Sequence, residues 1–499
     1  MVYTIGIAGT DARTLLSAFT ISTATSDIHG TEMAGTVIRG TNGMRKVSED
    51  LGWPVSFMDT EDNTVEGYAK AISEGVKNGD IQCVVPMPEA LLFDGLVDRV
   101  IEDGHGDAIL GLTKEGSFVE GDKIECKRLC DDAGVPVADE WREVDARSYE
   151  DVLKASLDML HRHGGVVLKY PYSAAGRGAR IILNAWEIRA VYDKLMSDYK
   201  KTYRKMFGGK REWPLLIESR MSGVEISFTA VVDAKGNYQI LPTALDYPER
   251  YEGTASKDNP ITGGMGSISP HPMETPELLT FAGKTIIAPL VQELKRRGFL
   301  RPCILYPGCF VSFNEDMSPR SIRVCEVNIR PGEPEFQTVC RRLRNLGHLY
   351  KAALEGNLDT VTPEVRDEQI SMSYALVTGP GGEEGRPGYP GSCVRGETFE
   401  FDPEFFNKKK IMLVPSAMDY DGEALLSDGS RVAFIVANSS VRQGVGKDEV
   451  AWRLSQKMLN AYDAKKAFVK RGEDGGNRLE LRRDIGMHYG FAAQIFSNQ

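Results

Sequence analysis

Several kinds of chemistry are closed to this chain by what its 499 residues do not contain. No CxxC pair occurs, and the eight cysteines (Cys83, Cys126, Cys130, Cys303, Cys309, Cys325, Cys340, Cys393) are scattered, which reads as reduced thiols in a cytoplasmic compartment. Cys126 and Cys130 stand four apart on a predicted helix without a nearby histidine, the spacing of ordinary packing rather than of a metal or redox pair. Histidine is scarce, seven in all, and none falls in the motifs below, so no histidine-based nucleophilic machinery is indicated. Basic residues are outnumbered, 60 Lys and Arg against 71 Asp and Glu, and the net charge of −11 argues against general nucleic-acid binding. An anionic ligand must therefore be met locally. No stretch reaches the ~18 apolar residues of a membrane helix. The first residues carry Asp11 and Arg13 and lack a signal peptide's basic start and apolar run, so they are expected to belong to the fold. Nor is there a GxxxxGK followed by Ser or Thr, so any ATP must be bound without a P-loop.

What is present is a turn-rich globular composition, with 51 glycines, 41% apolar and 26% charged residues, in a chain long enough for about three units. The most informative stretch is 321–330, read as a strand. Alternation puts Glu326, Asn328 and Arg330 on one face together with Val324, and Cys325, Val327 and Ile329 on the other. A carboxylate and an amide oxygen two residues apart suit a Mg²⁺ ion, and a guanidinium beyond them suits an anion. Read alone, the stretch fits an amphipathic surface strand equally well. A rigid turn, 331–335, adds Glu333 and Glu335.

Along the chain, Val2 to Ala8 forms a strand, Gly9–Asp11 a turn and Ala12 to Thr20 a helix, either plain βα packing or a phosphate pocket with Arg13 at its helix start. A helix over 68–77, a strand over 81–85 and a helix over 91–102 continue a parallel α/β rhythm, with Glu89 at the carboxyl end of a strand. Asp122 caps a helix that runs to Ala133. A strand ends in Lys169, and the loop 173–180 has only small residues between cations: Ala175, Gly176, Arg177 and Gly178 fit a phosphate cover or a bare hairpin tip. Glu218 closes one apolar strand and Glu225 opens the next, neither with an apparent local cation. Asp246 follows a strand over 240–245, and 259–266, with Gly264, is a second glycine-rich loop. An amphipathic helix spans 278–297, and 309–313 pairs with the 321–330 strand. Beyond Gly356 short strands replace the βα pattern, and a last helix covers 447–469.

Taken in order, these stretches resemble the phosphoribosylamine–glycine ligases (glycinamide ribonucleotide synthetases) of the ATP-grasp superfamily. Gly121-Asp-Lys123 with Lys127 is similar to GSKxFxK, and 167–178 to VVKADGLAAGKG. Leu216 to Ser227 is similar to VIEExxxGEEVS, 262–270 to NTGGMGAYSP, and 326–335 to EFNxRxGDPE. In the tail, 388–391, 428–432 and 483–486 resemble the terminal motifs. The resemblance implies an α/β, in part α+β, ATP-grasp fold: a parallel N-terminal α/β domain (1–118), a core (119–356) with a mobile lid at about 136–214, and a small β-rich C-terminal domain (357–499). Carried over, Lys123, Lys169, Glu218 and Glu225 bind adenine and ribose and the 174–178 loop covers the phosphates. Glu326 and Asn328 hold Mg²⁺ or Mn²⁺, and Arg330 contacts phosphate or acyl group. Arg13, Glu89, Asp246, Gly264, Gly332 and Glu333 contact the other substrates. Partners are small molecules, with neither nucleic acid nor membrane, and the chain is a monomer or a homodimer.

The departures from the family pattern concentrate where the amine acceptor binds. GSGGREHA becomes Gly9-Thr-Asp-Ala-Arg13-Thr-Leu, GPExPL becomes 87–92, QDHKR becomes 245–250, and RFGDPE becomes 330–335. Three readings follow: glycine joined to 5-phosphoribosylamine, a related ligase with another carboxylate and amine, or a non-catalytic nucleotide-binding protein.

Overall fold

Four parallel strands, β1 (Val2–Gly9), β2 (Glu32–Arg39), β3 (Ser56–Met58) and β4 (Cys83–Pro86), open the chain in the order β3-β2-β1-β4. The computed structural model describes residues 2–24, 30–172, 179–207, 213–253, 256, 259–379, 388–391, 393–463, 468–470 and 479–490. Helices α1 (Ala12–Ser22), α2 (Asn42–Leu51) and α3 (Val65–Asn78) start where a side chain accepts from the first turn: Asp11 from the Thr14 N–H, Thr41 from Met44, Thr64 from Gly67. In this strand order the winding reverses between β1 and β4, and their carboxyl ends flank a crevice where a ligand can enter. The helix read over 91–102 is two, α4 (Glu89–Phe93) and α5 (Leu96–Glu102), broken at Gly95.

Helices α6 (Lys114–Gly121) and α7 (Lys123–Asp132) lead into an antiparallel sheet of β5 (Trp141–Asp145), β6 (Val166–Lys169), β7 (Ala179–Ile182) and β8 (Pro214–Ser219), ordered β5-β8-β6-β7. Helices α8 (Tyr149–His163) and α9 (Ile188–Phe207) pack on it. Val152, Met159, Leu168, Leu195 and Ile217 give this unit an apolar core separate from the others.

The chain then supplies β9 (Val224–Ser227), β10 (Ala230–Val232), β11 (Tyr238–Ile240), β12 (Leu245–Asp246), β13 (Gly266–Ser269), β14 (Cys303–Phe313) and β15 (Pro319–Asn328). A five-stranded sheet has the order β11-β10-β14-β15, with β9 also on β14. Asp246 does not continue β11; β12 pairs with β13 instead. The 278–297 stretch is helical from Pro276 to Arg296, with one wider turn at Gly283–Ile287. Strand β16 (Gln369–Thr378) pairs with β13, so one six-stranded sheet takes strands from both sides of residue 357. The remaining strands are β17 (Thr398–Phe401), β18 (Met412–Pro415), β19 (Met418–Tyr420), β20 (Leu425–Ser427), β21 (Arg431–Ser440), β22 (Phe468–Lys470) and β23 (Leu479–Glu480), and the last long helix stops at Asp463 rather than at 469.

The β14–β15 hairpin corrects the expected face assignment. Gly308 lies opposite Glu326 and Cys309 opposite Val324, so Cys325 is an extra, bulged residue. The bulge shifts the alternation by one. Val324 therefore joins Val327 and Ile329 in the core rather than sharing a face with Glu326 and Asn328.

Candidate active site

The bulged strand presents Glu326 and Asn328 to the space between the five-stranded sheet and the β5–β8 sheet. Lys123, at the start of α7, reaches the Glu326 Oε2 at 3.1 Å. Lys123 foremost, helped by Lys169, holds the Glu326 carboxyl down at about 2 against the opposing effect of burial. Asn328 donates from Nδ2 to the Tyr306 carbonyl at 3.3 Å and lies 3.5 Å from the Glu326 Oε1.

Beside this pair is a buried ion triad, which overturns the reading of Glu218 as lacking a local cation. Glu218 Oε2 lies 3.0 Å from Lys127 Nζ, and its Oε1 meets Lys169 Nζ. The Glu218 and Lys127 side chains are 1% exposed and that of Lys169 8%. Burial raises the Glu218 pKa, but the two ammonium groups prevail and hold it at about 2. Lys127 also donates to the Val324 and Cys325 carbonyls, at 3.1 and 3.2 Å, and Lys169 to the Cys325 Sγ at 3.4 Å. The sequence pointed to this lysine: it stands one helical turn after Lys123, on the face that meets β15.

Glu225, across β14 from Glu326, forms no ion pair among the described residues, and Lys169 acts on it only at longer range. Burial between the cleft walls, then Glu326 and Glu335, push it up to about 7, although water reaching the exposed side chain screens part of this repulsion. Asp246 is pushed well above the usual carboxylate range by burial and by Glu335 and Glu225, and its Oδ1 has no hydrogen-bond partner. Tyr306 donates to Glu335. Two glycines keep these groups close. A Cβ on Gly332 would lie 2.4 Å from the Tyr306 ring, and one on Gly264 would lie 2.2 Å from Pro334 and 2.9 Å from the Asp246 Oδ1.

Of the residues expected to contact the other substrates, Asp246, Gly264 and Gly332 lie in that group, whereas Arg13, Glu89 and Glu333 form with Arg330 a charged seam where the first domain meets the end of β15. Arg13 is buried and committed to Asp11, 2.7 Å away, and to the Pro331 carbonyl. Its guanidinium does not point freely at a ligand; only Nε lacks a partner. Arg330 is held between Glu89 (3.2 Å) and Glu120 (3.1 Å), and Glu333 pairs with Arg431 at 2.6 Å. Burial raises the Glu120 pKa, whereas for Glu89 the nearby Arg330 and Arg13 outweigh burial and lower it. Asp11, Glu120, Tyr306 and Arg431 were given no role from the sequence, and Lys127 and Glu335 were named only as members of a motif and a turn. Arg431 also carried a signal, its place in the 428–432 motif. Ala175, Gly176, Arg177 and Gly178 lie outside the described residues.

The cleft between two antiparallel sheets is lined by lysines on one side and by a strand-borne carboxylate and amide on the other, an arrangement suited to a nucleotide and a divalent cation. Residues 121–336 match the family described as phosphoribosylglycinamide synthetase, ATP-grasp (A) domain. A phosphoribosylamine–glycine ligase of Rhodopirellula baltica is 29% identical over 331 residues, 65% of this chain and 69% of the relative. That of Caldanaerobacter subterraneus subsp. tengcongensis is 26% identical over 388 residues, 78% and 84% of the two chains. The crystal structure of the Thermotoga maritima phosphoribosylamine–glycine ligase superposes with a TM-score of 0.68 at 20% identity, covering 97% of this chain and all of that one. The biotin carboxylase domain of Hydrogenobacter thermophilus 2-oxoglutarate carboxylase, solved with MgADP, gives 0.60 at 15% identity, covering 99% and 94%. Residues 121–336 thus match an ATP-grasp domain family, and the chain as a whole is similar to the phosphoribosylamine–glycine ligases.

Proposed function

We propose that the protein is an ATP-dependent carboxylate–amine ligase that joins glycine to 5-phosphoribosylamine, giving glycinamide ribonucleotide, ADP and phosphate in purine biosynthesis. The observation that carries this reading is the convergence of Lys123, Lys169 and the Glu326–Asn328 pair on one cleft. The γ-phosphate of ATP activates the glycine carboxylate, and the amine attacks the acyl phosphate. Such phosphoryl transfer depends on positioning and charge neutralisation, so the chain needs cations and donors rather than a nucleophile.

The donor set fits a magnesium ion. Among the described residues no group of three or more His, Cys, Asp or Glu is arranged to hold a metal. Glu326 and the Asn328 Oδ1 supply two hard oxygen ligands, and Mg²⁺ characteristically takes one or two from protein and the rest from phosphates and water. Bound there, the ion would neutralise charge on the transferred phosphoryl group; Mn²⁺ satisfies the same ligands. Lys169, fixed by Glu218, keeps its charge toward the nucleotide, and Lys123 balances Glu326. Asp246 and Glu225, which form no ion pair among the described residues, suit the ammonium group of an amino acid or the hydroxyls of ribose. The Arg330 seam orients the strand end rather than gripping phosphate. Among the described residues no helix is long and apolar enough to cross a membrane.

Purified protein given glycine, phosphoribosylamine and Mg²⁺–ATP should release ADP and glycinamide ribonucleotide in equal amounts. No ADP above the ATP-only background rejects the acceptor, and ADP release with another amine or carboxylate replaces it. A second expectation concerns pH. Glu225, raised from 4.5 to about 7, keeps its proton in the folded chain where the unfolded chain has lost it. Its contribution to stability is therefore present at acid pH and lost as pH rises through about 7. Cation affinity should move the opposite way, with apparent Mg²⁺–ATP affinity rising between about pH 6 and 8. Glu225→Gln should flatten that rise; an equal slope in the variant separates Glu225 from the nucleotide site.

A further inference from the structure

At the carboxyl ends of β1 and β2, against the small C-terminal sheet, lies a cavity of about 340 Å³ walled by Thr10, Arg39, Thr41, Asn42, Asp419 and Asp428. None of these residues belongs to the cleft already described. We infer that this cavity receives the phosphate-bearing end of a sugar phosphate acceptor, with Arg39 as the side chain that holds the anion. The inference rests on the ligase reading above and gives that acceptor a place.

Arg39 is the last residue of β2 and sits at a φ of 74°, a left-handed conformation uncommon for a side-chain-bearing residue. That geometry turns the chain sharply into Gly40 and the start of α2. Its Nη1 donates to the Thr60 Oγ1 at 3.2 Å; Asp62 lies near enough to feel its charge, but no carboxylate among the described residues comes within ion-pair distance of it. The other cation at the rim, Arg45, is committed to Asp59 and to the Arg39 carbonyl. Arg39 is thus the guanidinium here with charge to spare. The N–H groups of Asn42 and Gly43, in the first turn of α2, have no acceptor within the helix and add a positive potential on the same side. Thr41 holds the two walls together, its hydroxyl donating to the Met418 carbonyl at 2.6 Å.

The opposite wall has the reverse chemistry. Asp419 and Asp428 are acceptors, suited to hydroxyl groups and hostile to a ligand that is anionic throughout. One anionic end and several hydroxyls, in a space of this size, describe a sugar phosphate. The cavity also adjoins the strand end: Thr10 immediately precedes Asp11, which holds Arg13 against Pro331. A ligand gripped at Arg39 would extend past Thr10 toward the end of β15. Because Arg13 is already committed to Asp11 and Pro331, Arg39 takes the phosphate role that the sequence reading gave to Arg13.

The test is calorimetric titration of ribose 5-phosphate, ribose and inorganic phosphate into the full-length protein, Arg39→Ala and Asn42→Asp, with ATP titrated into each as a control. Ribose 5-phosphate should bind the unaltered protein more tightly than either fragment. Arg39→Ala should weaken it about tenfold or more, the usual consequence of losing a charge-assisted hydrogen bond, with ATP affinity kept. Asn42→Asp, which puts a negative charge at the start of α2, should weaken it too, and decides the matter alone if Arg39→Ala loses ATP binding through misfolding. Failure of ribose 5-phosphate to bind at millimolar concentration, or equal binding by the variants, overturns the inference. Turnover separates the two readings. Binding that depends on Arg39, without ADP from glycine and phosphoribosylamine, keeps the cavity and removes the acceptor assignment. ADP formation with an unchanged KM for phosphoribosylamine in Arg39→Ala removes the cavity and keeps the ligase.

Discussion

Glu326→Ala is expected to lower ATP turnover by about 10² or more while leaving the fold intact, the scale on which loss of a charge-stabilising group acts. The side chain is 45% exposed, so its removal opens no apolar core. What disappears is a cleft carboxylate whose proton is held off by two lysines, and Lys123 loses its partner at 3.1 Å. The measurement is steady-state ADP release at saturating Mg²⁺ and substrates, with circular dichroism as the check on folding. Asn328→Ala should show a smaller loss in the same direction. Turnover within about threefold of the unaltered enzyme would remove Glu326 from the reaction.

Glu218→Ala should act on stability first. With the carboxylate gone, the Lys127 and Lys169 ammonium groups remain buried side by side, and removing one partner from such an interior pair costs about 3–5 kcal/mol. Chemical denaturation would show this as a lowered midpoint at unchanged m, and a loss below about 1 kcal/mol contradicts the triad. The sign with pH follows from a carboxyl held at about 2 instead of 4.5. Its stabilising contribution is complete above the unfolded value and is lost as pH falls from about 4.5 toward 2. The variant should lack that part of the acid sensitivity.

The parallel rhythm of the first domain, the Asp122 cap and the β14–β15 hairpin were legible because each rests on local pattern: period, capping chemistry, a polar turn. Glu326 and Asn328 were assigned the right face for a similar reason, since two residues downstream of an irregularity still alternate with each other. Val324 was misassigned because a bulge adds one residue without any mark in the sequence. The partners of Glu218 were hidden for a different cause. Lys127 comes from a helix about 90 residues earlier, and only tertiary packing brings it to 3.0 Å. Likewise Arg13 carried the family's arginine, but its engagement by Asp11 and a backbone carbonyl from residue 331 depends on how two domains meet. Alternation reports which way a side chain points, not what waits there.

The β5–β8 sheet with its two helices carries its own apolar interior, so what ties it to the neighbouring sheet at the cleft margin is polar. Glu218 and Lys169 on this unit meet Lys127 and Cys325 on the other. The spacing between the Lys169 ammonium group and the β15 strand is therefore set by charge pairing and not by side-chain packing.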